Sequence, residues 1–168
     1  KEKANEYTNS VISGATSLMF FSAVILFIFA NSIAFLAAPG FPKEDLALVA
    51  KILKILAISP ILFGVSNALG AMLVAKKRFL FYGLAPVVYN LGIIGGTLIL
   101  VPQFGIIGVA IGTVIGAFFH LLVRAIDAFY TGFRFKPNFK FKTPEFRKTI
   151  KLMVPKMFGH PVELAMFW

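Results

Sequence analysis

The sequence contains no cysteine and little negative charge. Without Cys, this chain can form no disulfide, thiolate metal site or Cys nucleophile. Asp and Glu together number 7, against 17 Lys and Arg, and no two acids are spaced to form a general acid and base in one pocket. Phosphate-binding Gly loops, nucleophile motifs and metal-ligand clusters are also missing. We therefore expect no enzyme active site, no metal and no cofactor.

Charged residues are scarce, and apolar residues take their place. Only 14% of residues are charged and 58% are apolar, whereas a soluble domain has about 25% charged and about 45–50% apolar residues. Mean hydropathy is +0.85, and 20 Phe residues exceed the need of an aqueous core. The composition predicts an all-α, polytopic membrane helix bundle, because lipid rather than a packed core covers much of the apolar surface.

Long uncharged stretches define the predicted membrane spans. A helix of about 20 residues crosses a hydrocarbon core about 30 Å thick. Turn signals at residues 39–42 and 102–105 and a basic triplet at 76–78 divide the uncharged stretches. The predicted helices cover residues 11–38, 52–75, 79–101, 106–127 and 144–168, and a basic, Phe-rich loop covers residues 131–151.

Basic residues are concentrated on alternate connections between the predicted helices. The triplet at 76–78 and the loop at 131–151 carry most of the Lys and Arg residues, while the turn at Pro102 carries none. By the positive-inside rule the basic connections are cytoplasmic, and the first helix runs outward. Anionic membrane lipids explain the net charge of +10 better than nucleic acid does, because the basic residues lie between spans rather than along one soluble face.

Small residues and prolines mark predicted packing or hinge positions. Gly108, Gly112 and Gly116 are spaced four apart and so share one helix face. Membrane helices associate by close approach of small residues, so this face is predicted to pack against another helix, with sliding during transport as an additional role. Pro60 and Pro86 interrupt two predicted spans, and such bends serve either as hinges or as ordinary kinks.

Four polar residues within the predicted spans are the candidates for a substrate cavity. They are Asn67, Asn90, His120 and Arg124. A polar group in lipid faces the bundle interior or a wet cavity, so each of them either forms an interhelical hydrogen bond or contacts a substrate. Arg124 and Asp127 lie three residues apart on one predicted helix and are expected to form an ion pair near the membrane surface.

Several segments, taken in order, resemble the bacterial lipid II flippase family, called MurJ or MviN. The resemblance runs through residues 55–60, 63–71, 75–94, 104–112, 116–122, 132–137 and 151–155. It implies a fourteen-helix, MATE-like transporter of the superfamily that also holds multidrug, oligosaccharidyl-lipid and polysaccharide exporters. This chain would be a fragment covering about helices three to seven, packed against the remainder of the same polypeptide.

The same resemblance implies a function and a location. The family flips an undecaprenyl-linked peptidoglycan precursor, lipid II, across the bacterial inner membrane by alternating access. Its functional arginines lie in helices one, two and eight, so none is carried over to this chain. Residues 124–127 and 160–163 depart from the family pattern. The alternatives are a polysaccharide or multidrug exporter of the same superfamily, a membrane-embedded enzyme acting on lipid-linked sugars, or a scaffold without transport. No residue here indicates the coupling ion.

The predicted orientation can be tested with reporter tags. A tag inserted at Lys76 should report the cytoplasmic side, and a tag at Pro102 should report the opposite side, because one uncharged helix separates the two positions. The accessibility of each tag to an impermeant reagent, before and after permeabilisation, measures its side. Tags that report the same side at both positions would contradict the topology.

Overall fold

The structure is a computed structural model that describes residues 2–139, 143, 146–153 and 155, most of them helical. Its helices are α1 (Glu2–Ile28), α2 (Ala30–Ala37), α3 (Lys43–Leu56), α4 (Ser59–Ala75), α5 (Phe79–Phe104) and α6 (Ile106–Tyr130). The described ranges contain no strand. Four segments are long and apolar enough to cross a membrane, namely Ala4–Ile28, Lys43–Ala75, Phe79–Phe104 and Ile106–Tyr130. The prediction of an all-α membrane helix bundle is confirmed.

The first predicted span, 11–38, forms two helices rather than one. Helix α1 begins at Glu2, so the polar residues before Val11 continue the helix. One of these residues, Asn9, has a partner in the later chain, since its side chain accepts a hydrogen bond from the Lys136 backbone N–H at 3.1 Å. The helix is interrupted at Phe29 and resumes as α2.

Pro60 lies at the start of a helix rather than inside one. The predicted span 52–75, expected to be one helix bent at Pro60, is divided at residues 57–58 into α3 and α4. Pro60 lies in the first turn of α4. Proline has no N–H to donate, and the first helical turn is the position where this loss costs least. The break therefore lies just before the proline.

Helix α5 contains two prolines and runs past its predicted end. Pro86 and Pro102 both lie inside the helix, which continues to Phe104 instead of ending at Val101. The reversal into α6 occurs at Gly105, whose φ of +58° is strained for any residue with a side chain. Of the predicted turn at 102–105, only Gly105 lies between the two helices, and the first three residues continue α5.

Helices α5 and α6 pack with their backbones in direct contact at glycines. A Cβ atom added to Gly92 would lie 2.5 Å from the Cα of Gly116, and one added to Gly96 would collide with the Cα of Gly112. Gly108 is also buried, against the last turns of α5. The three glycines of α6 therefore face α5, and this set of contacts is called the glycine seam below.

The turn between α4 and α5 ends α4 with a complete set of capping hydrogen bonds. The Arg78 N–H donates to the Leu73 carbonyl at 2.9 Å, and the Lys77 N–H donates to the Val74 carbonyl at 2.9 Å. Lys77 takes a φ of +58°. The two hydrogen bonds and this positive φ together form a Schellman motif, in which glycine is the usual residue at the left-handed position.

Buried apolar residues join the other helices, and many large apolar residues point outward. One cluster, from α1, α4, α6 and the segment after α6, consists of Ile12, Leu69, Met72, Leu73, Ala128 and Phe133. A smaller cluster of alanines, Ala30, Ala34 and Ala50, joins α2 to α3. Leu36, Leu80 and Leu98 are more than 70% exposed, as expected of a surface that faces lipid.

The predicted basic loop, 131–151, is irregular at first and then helical. Residues 133–139 form neither helix nor strand, and residues 146–153 are helical. The Phe146 N–H donates to Thr143 Oγ1 at 3.4 Å, which places Thr143 at the helix N-terminus. Most of the predicted helix 144–168 lies outside the described residues.

The glycine seam yields a matched pair of substitutions. Gly96→Ala should lower the free energy of unfolding in detergent by about 1–3 kcal/mol, because the added methyl group collides with Gly112. Gly95→Ala is the control, since a Cβ there meets nothing within 4 Å. Equal stability of the two variants, measured by denaturant unfolding, would show that the seam does not hold α5 to α6.

Candidate functional site

A polar cluster lies inside the bundle where α4, α5 and α6 meet. Its members, called the polar cluster below, are Ser66, Asn67, Tyr82, His120 and Arg124. The cluster lies near the end of the bundle that carries residues 76–78 and the segment after α6, which is called the basic end. Helices α4 and α6 supply four of the five side chains, and Tyr82 comes from the first turns of α5.

Arg124 is a buried cation held by neutral groups. Its side chain is only 5% exposed. One guanidinium nitrogen, Nη1, donates to Asn67 Oδ1 at 2.8 Å and to the Ser66 carbonyl at 3.2 Å. The guanidinium carbon lies 4.7 Å from the centre of the Tyr82 ring, a cation–π distance. Among the described residues no carboxylate pairs with Arg124, and its Nε has no partner.

His120 lies one helical turn before Arg124 and contacts the same part of α4. Its Nδ1 is 2.8 Å from the Ser66 hydroxyl oxygen. The ring also packs edge-on against Phe63, with the ring centres 5.1 Å apart, and lies 6.3 Å from Tyr89. Ser66 therefore joins His120, through its hydroxyl, to Arg124, through its carbonyl.

Asp127 pairs with Arg78 rather than with Arg124. The Nε of Arg78 donates to Asp127 Oδ1 at 2.8 Å, and Asp127 is fully buried while its second oxygen has no partner among the described residues. The expected ion pair of Arg124 with Asp127 is therefore wrong. The hydrogen bond to Asp127 raises the pKa of Arg78 above its ordinary value, and the pair ties the α4–α5 turn to α6.

The structure brings together three of the four predicted cavity residues. Asn67 contacts Arg124 directly, and His120 is linked to both through Ser66. The side chain of Asn90 is exposed and makes no hydrogen bond within the described part of the chain. Asn67 is also exposed, so the polar cluster reaches the surface of the bundle at this residue.

Sequence reasoning missed the contacts made by Tyr82 and Arg78. Tyr82 lies in α5, and its contact with Arg124 depends on the packing of three helices, which no spacing in the sequence reveals. The Arg78 pair did have a signal. Asp127 is the only acid between residues 46 and 144, and a buried carboxylate in a membrane helix needs a cationic partner.

The charges of this arrangement favour binding of an anion. Within the described ranges, no group of three or more His, Asp or Glu residues is placed to hold a metal ion. Arg78 and Arg124 provide two positive charges against the single negative charge of Asp127. The region therefore carries a net positive charge at membrane depth, which favours an anionic group.

The membrane-spanning helices and this buried polar cluster define a multi-pass α-helical membrane protein. The model of the family described as lipid II flippase MurJ matches residues 1–166. The chain belongs to this family, which is a family of lipid flippases rather than of catalytic enzymes. A comparison with curated proteins finds no match.

The hydrogen bond between Asn67 and Arg124 should appear in a double-mutant cycle. The variants Asn67→Ala and Arg124→Gln should show a coupling of about 0.6 to 1.7 kcal/mol in the free energy of unfolding, the range for interhelical polar pairs in membranes. Asn90→Ala combined with Arg124→Gln is the control and should show no coupling. A cycle with Asn67 that also gives zero would mean that the two side chains do not interact.

Proposed function

We propose that this protein flips lipid-linked peptidoglycan precursor, lipid II, across the bacterial inner membrane by alternating access. Membership of the lipid II flippase family supports the cargo, and the four apolar helices support the membrane setting. The basic end of the bundle is proposed to be cytoplasmic, since Lys and Arg are concentrated there. The cargo would enter from that side.

The observation that carries this proposal is the buried, uncompensated charge of Arg124. A cation in a membrane helix without an anionic partner costs several kcal/mol, and such groups mark substrate pathways in transporters. The precursor carries a pyrophosphate, which is an anion that guanidinium groups bind well. We propose that the pyrophosphate passes the polar cluster and that Arg124 contacts it, with Asn67 and His120 lining the path.

Two features of the helices would allow the motion that alternating access requires. At Gly92 and Gly96 the glycine seam is backbone against backbone, so a small shift of α5 along α6 displaces no large side chain at these two positions. The break before Pro60 lets α4 tilt relative to α3, and Pro86 provides a weak point within α5. We propose these positions as the hinges of the transport cycle.

The charge of the polar cluster bears on the rival transport functions. An exporter of cationic drugs requires a buried carboxylate that is free to bind its cargo. In the described residues the buried carboxylate of Asp127 is already paired with Arg78. The surplus positive charge favours an anionic cargo, which is consistent with a lipid-linked pyrophosphate.

Neutralising Arg124 tests the proposal. In cells that depend on the protein, Arg124→Gln should lower the rate of precursor flipping by a factor between about 10 and about 150, because a hydrogen bond to a charged group contributes about 1.5–3 kcal/mol. Arg124→Lys keeps the charge and should retain more activity. The measurement is the fraction of precursor that an impermeant hydrolase can cleave from outside the cell.

Two controls separate the site from the function. Arg147→Gln removes one charge from the exposed helical segment after Thr143 and should leave flipping unchanged. An Arg124→Gln variant that is present at the normal level and flips normally would disprove the role of Arg124. If depletion of the whole protein did not make the precursor accumulate on the inner leaflet, the proposed cargo itself would be wrong.

A further inference from the structure

The segment 133–139 presents alternating aromatic and polar residues at the basic end. Its odd positions are Phe, Phe, Pro and Phe, and its even positions are Arg134, Lys136 and Asn138. The three residues at even positions line one cavity, whereas Phe135 and Phe139 line another. The segment therefore has a cationic, polar side and an apolar side.

Hydrogen bonds fix this segment against the first turns of α1. The backbone N–H of Lys136 donates to Asn9 Oδ1 at 3.1 Å, and the backbone N–H of Asn138 donates to Ser13 Oγ at 3.0 Å. Both acceptors are buried. The alternation is thus held in one register by two side chains of a membrane helix.

The polar side of the segment lines a cavity of about 630 Å³ with surplus positive charge. Its polar lining includes Arg134, Lys136 and Asn138, together with Asn5, Glu6 and Asn9 of α1. The two cations outnumber the one acid, which leaves a net charge of +1. Arg134 is held in place, because its guanidinium stacks 3.9 Å from the centre of the Phe129 ring and donates to the Phe133 carbonyl at 3.2 Å.

The apolar side of the segment lines a second cavity, of about 490 Å³. Phe135 and Phe139 form one wall, and α1 forms another, from Ile12 to Phe21. The ten residues from Ile12 to Phe21 advance about 14 Å along the helix axis. Pro137 lines both cavities, so the polar cavity and the apolar cavity adjoin across this residue.

We propose that the two adjoining cavities form a binding site for one anionic phospholipid of the leaflet at the basic end. The phosphate occupies the polar cavity near Arg134 and Lys136, and one acyl chain follows α1 into the apolar cavity. Charge complementarity selects an anionic headgroup, and the apolar cavity selects a lipid over a soluble phosphate. The site is separate from the polar cluster around Arg124 and does not depend on which cargo the protein carries.

Lipid titration of the purified protein tests this site. The protein in detergent is titrated with phosphatidylglycerol, and mass spectrometry of the intact complexes counts bound lipids. The double variant Arg134→Gln, Lys136→Gln should bind the first phosphatidylglycerol about thirtyfold more weakly, since each basic residue near an anionic lipid contributes about a fivefold factor. The double variant Lys148→Gln, Lys151→Gln removes the same charge from the nearby helical segment and should bind normally.

A second pair of variants tests the apolar cavity. Phe135→Ala with Phe139→Ala should weaken phosphatidylglycerol binding severalfold, whereas Phe35→Ala with Phe41→Ala, two exposed residues far from the site in sequence, should not. If Lys148→Gln with Lys151→Gln weakened binding as much as Arg134→Gln with Lys136→Gln, the lipid would be held by diffuse surface charge. That result would overturn the proposal. Phosphatidylcholine that binds as tightly, or inorganic phosphate that displaces the lipid, would overturn it as well.

Discussion

Backbone contact between α5 and α6 is the constraint on which the rest of the described structure depends. At Gly92 and Gly96 the two helices come so close that not even a methyl group fits between them. Lipid provides no hydrophobic force to hold helices together, so this proximity and the dispersion contacts it allows provide the attraction. The seam sets the register of the α5–α6 pair, and with it the positions of Tyr82 and Arg78 beside α6.

The polar cluster follows from that register. Once α5 is fixed, Tyr82 covers the Arg124 guanidinium, and the carbonyl of Ser66 and the amide of Asn67 supply hydrogen-bond acceptors from α4. These groups are neutral, so they lower the cost of burying the charge without neutralising it. Asp127, in contrast, forms an ion pair with Arg78 at the end of the helix. Arg78 therefore has a carboxylate partner, whereas Arg124 has none among the described residues.

Much of the architecture could be predicted from the sequence, because the membrane imposes simple rules. Length and the absence of charge indicate where the chain crosses lipid, and glycines spaced four apart indicate a packing face. The exact breaks could not be predicted in the same way. The break before Pro60 and the continuation of α5 to Phe104 depend on which backbone groups find partners, and hydropathy does not report this.

The partners of charged residues were the hardest feature to predict. Spacing along α6 suggested that Arg124 and Asp127 pair with each other. Instead, Arg124 contacts Asn67 of α4, and Asp127 contacts Arg78 in the turn before α5. Contacts within a helix can be inferred from a period of 3.6 residues, whereas contacts between helices depend on rotation and depth. The start of α1 was missed for a similar reason, since Asn9 and Ser13 meet residues more than a hundred positions later.

The capped turn between α4 and α5 changes how the basic triplet should be understood. A flexible linker would let the two helices move independently, but Lys77 holds a left-handed conformation that few side chains adopt. The backbone N–H groups of Lys77 and Arg78 both donate hydrogen bonds to the last turn of α4. Arg78 is bound to α6 as well. This turn is therefore stiff, so the tilt of α4 that we propose at the break before Pro60 would move the start of α5 with it.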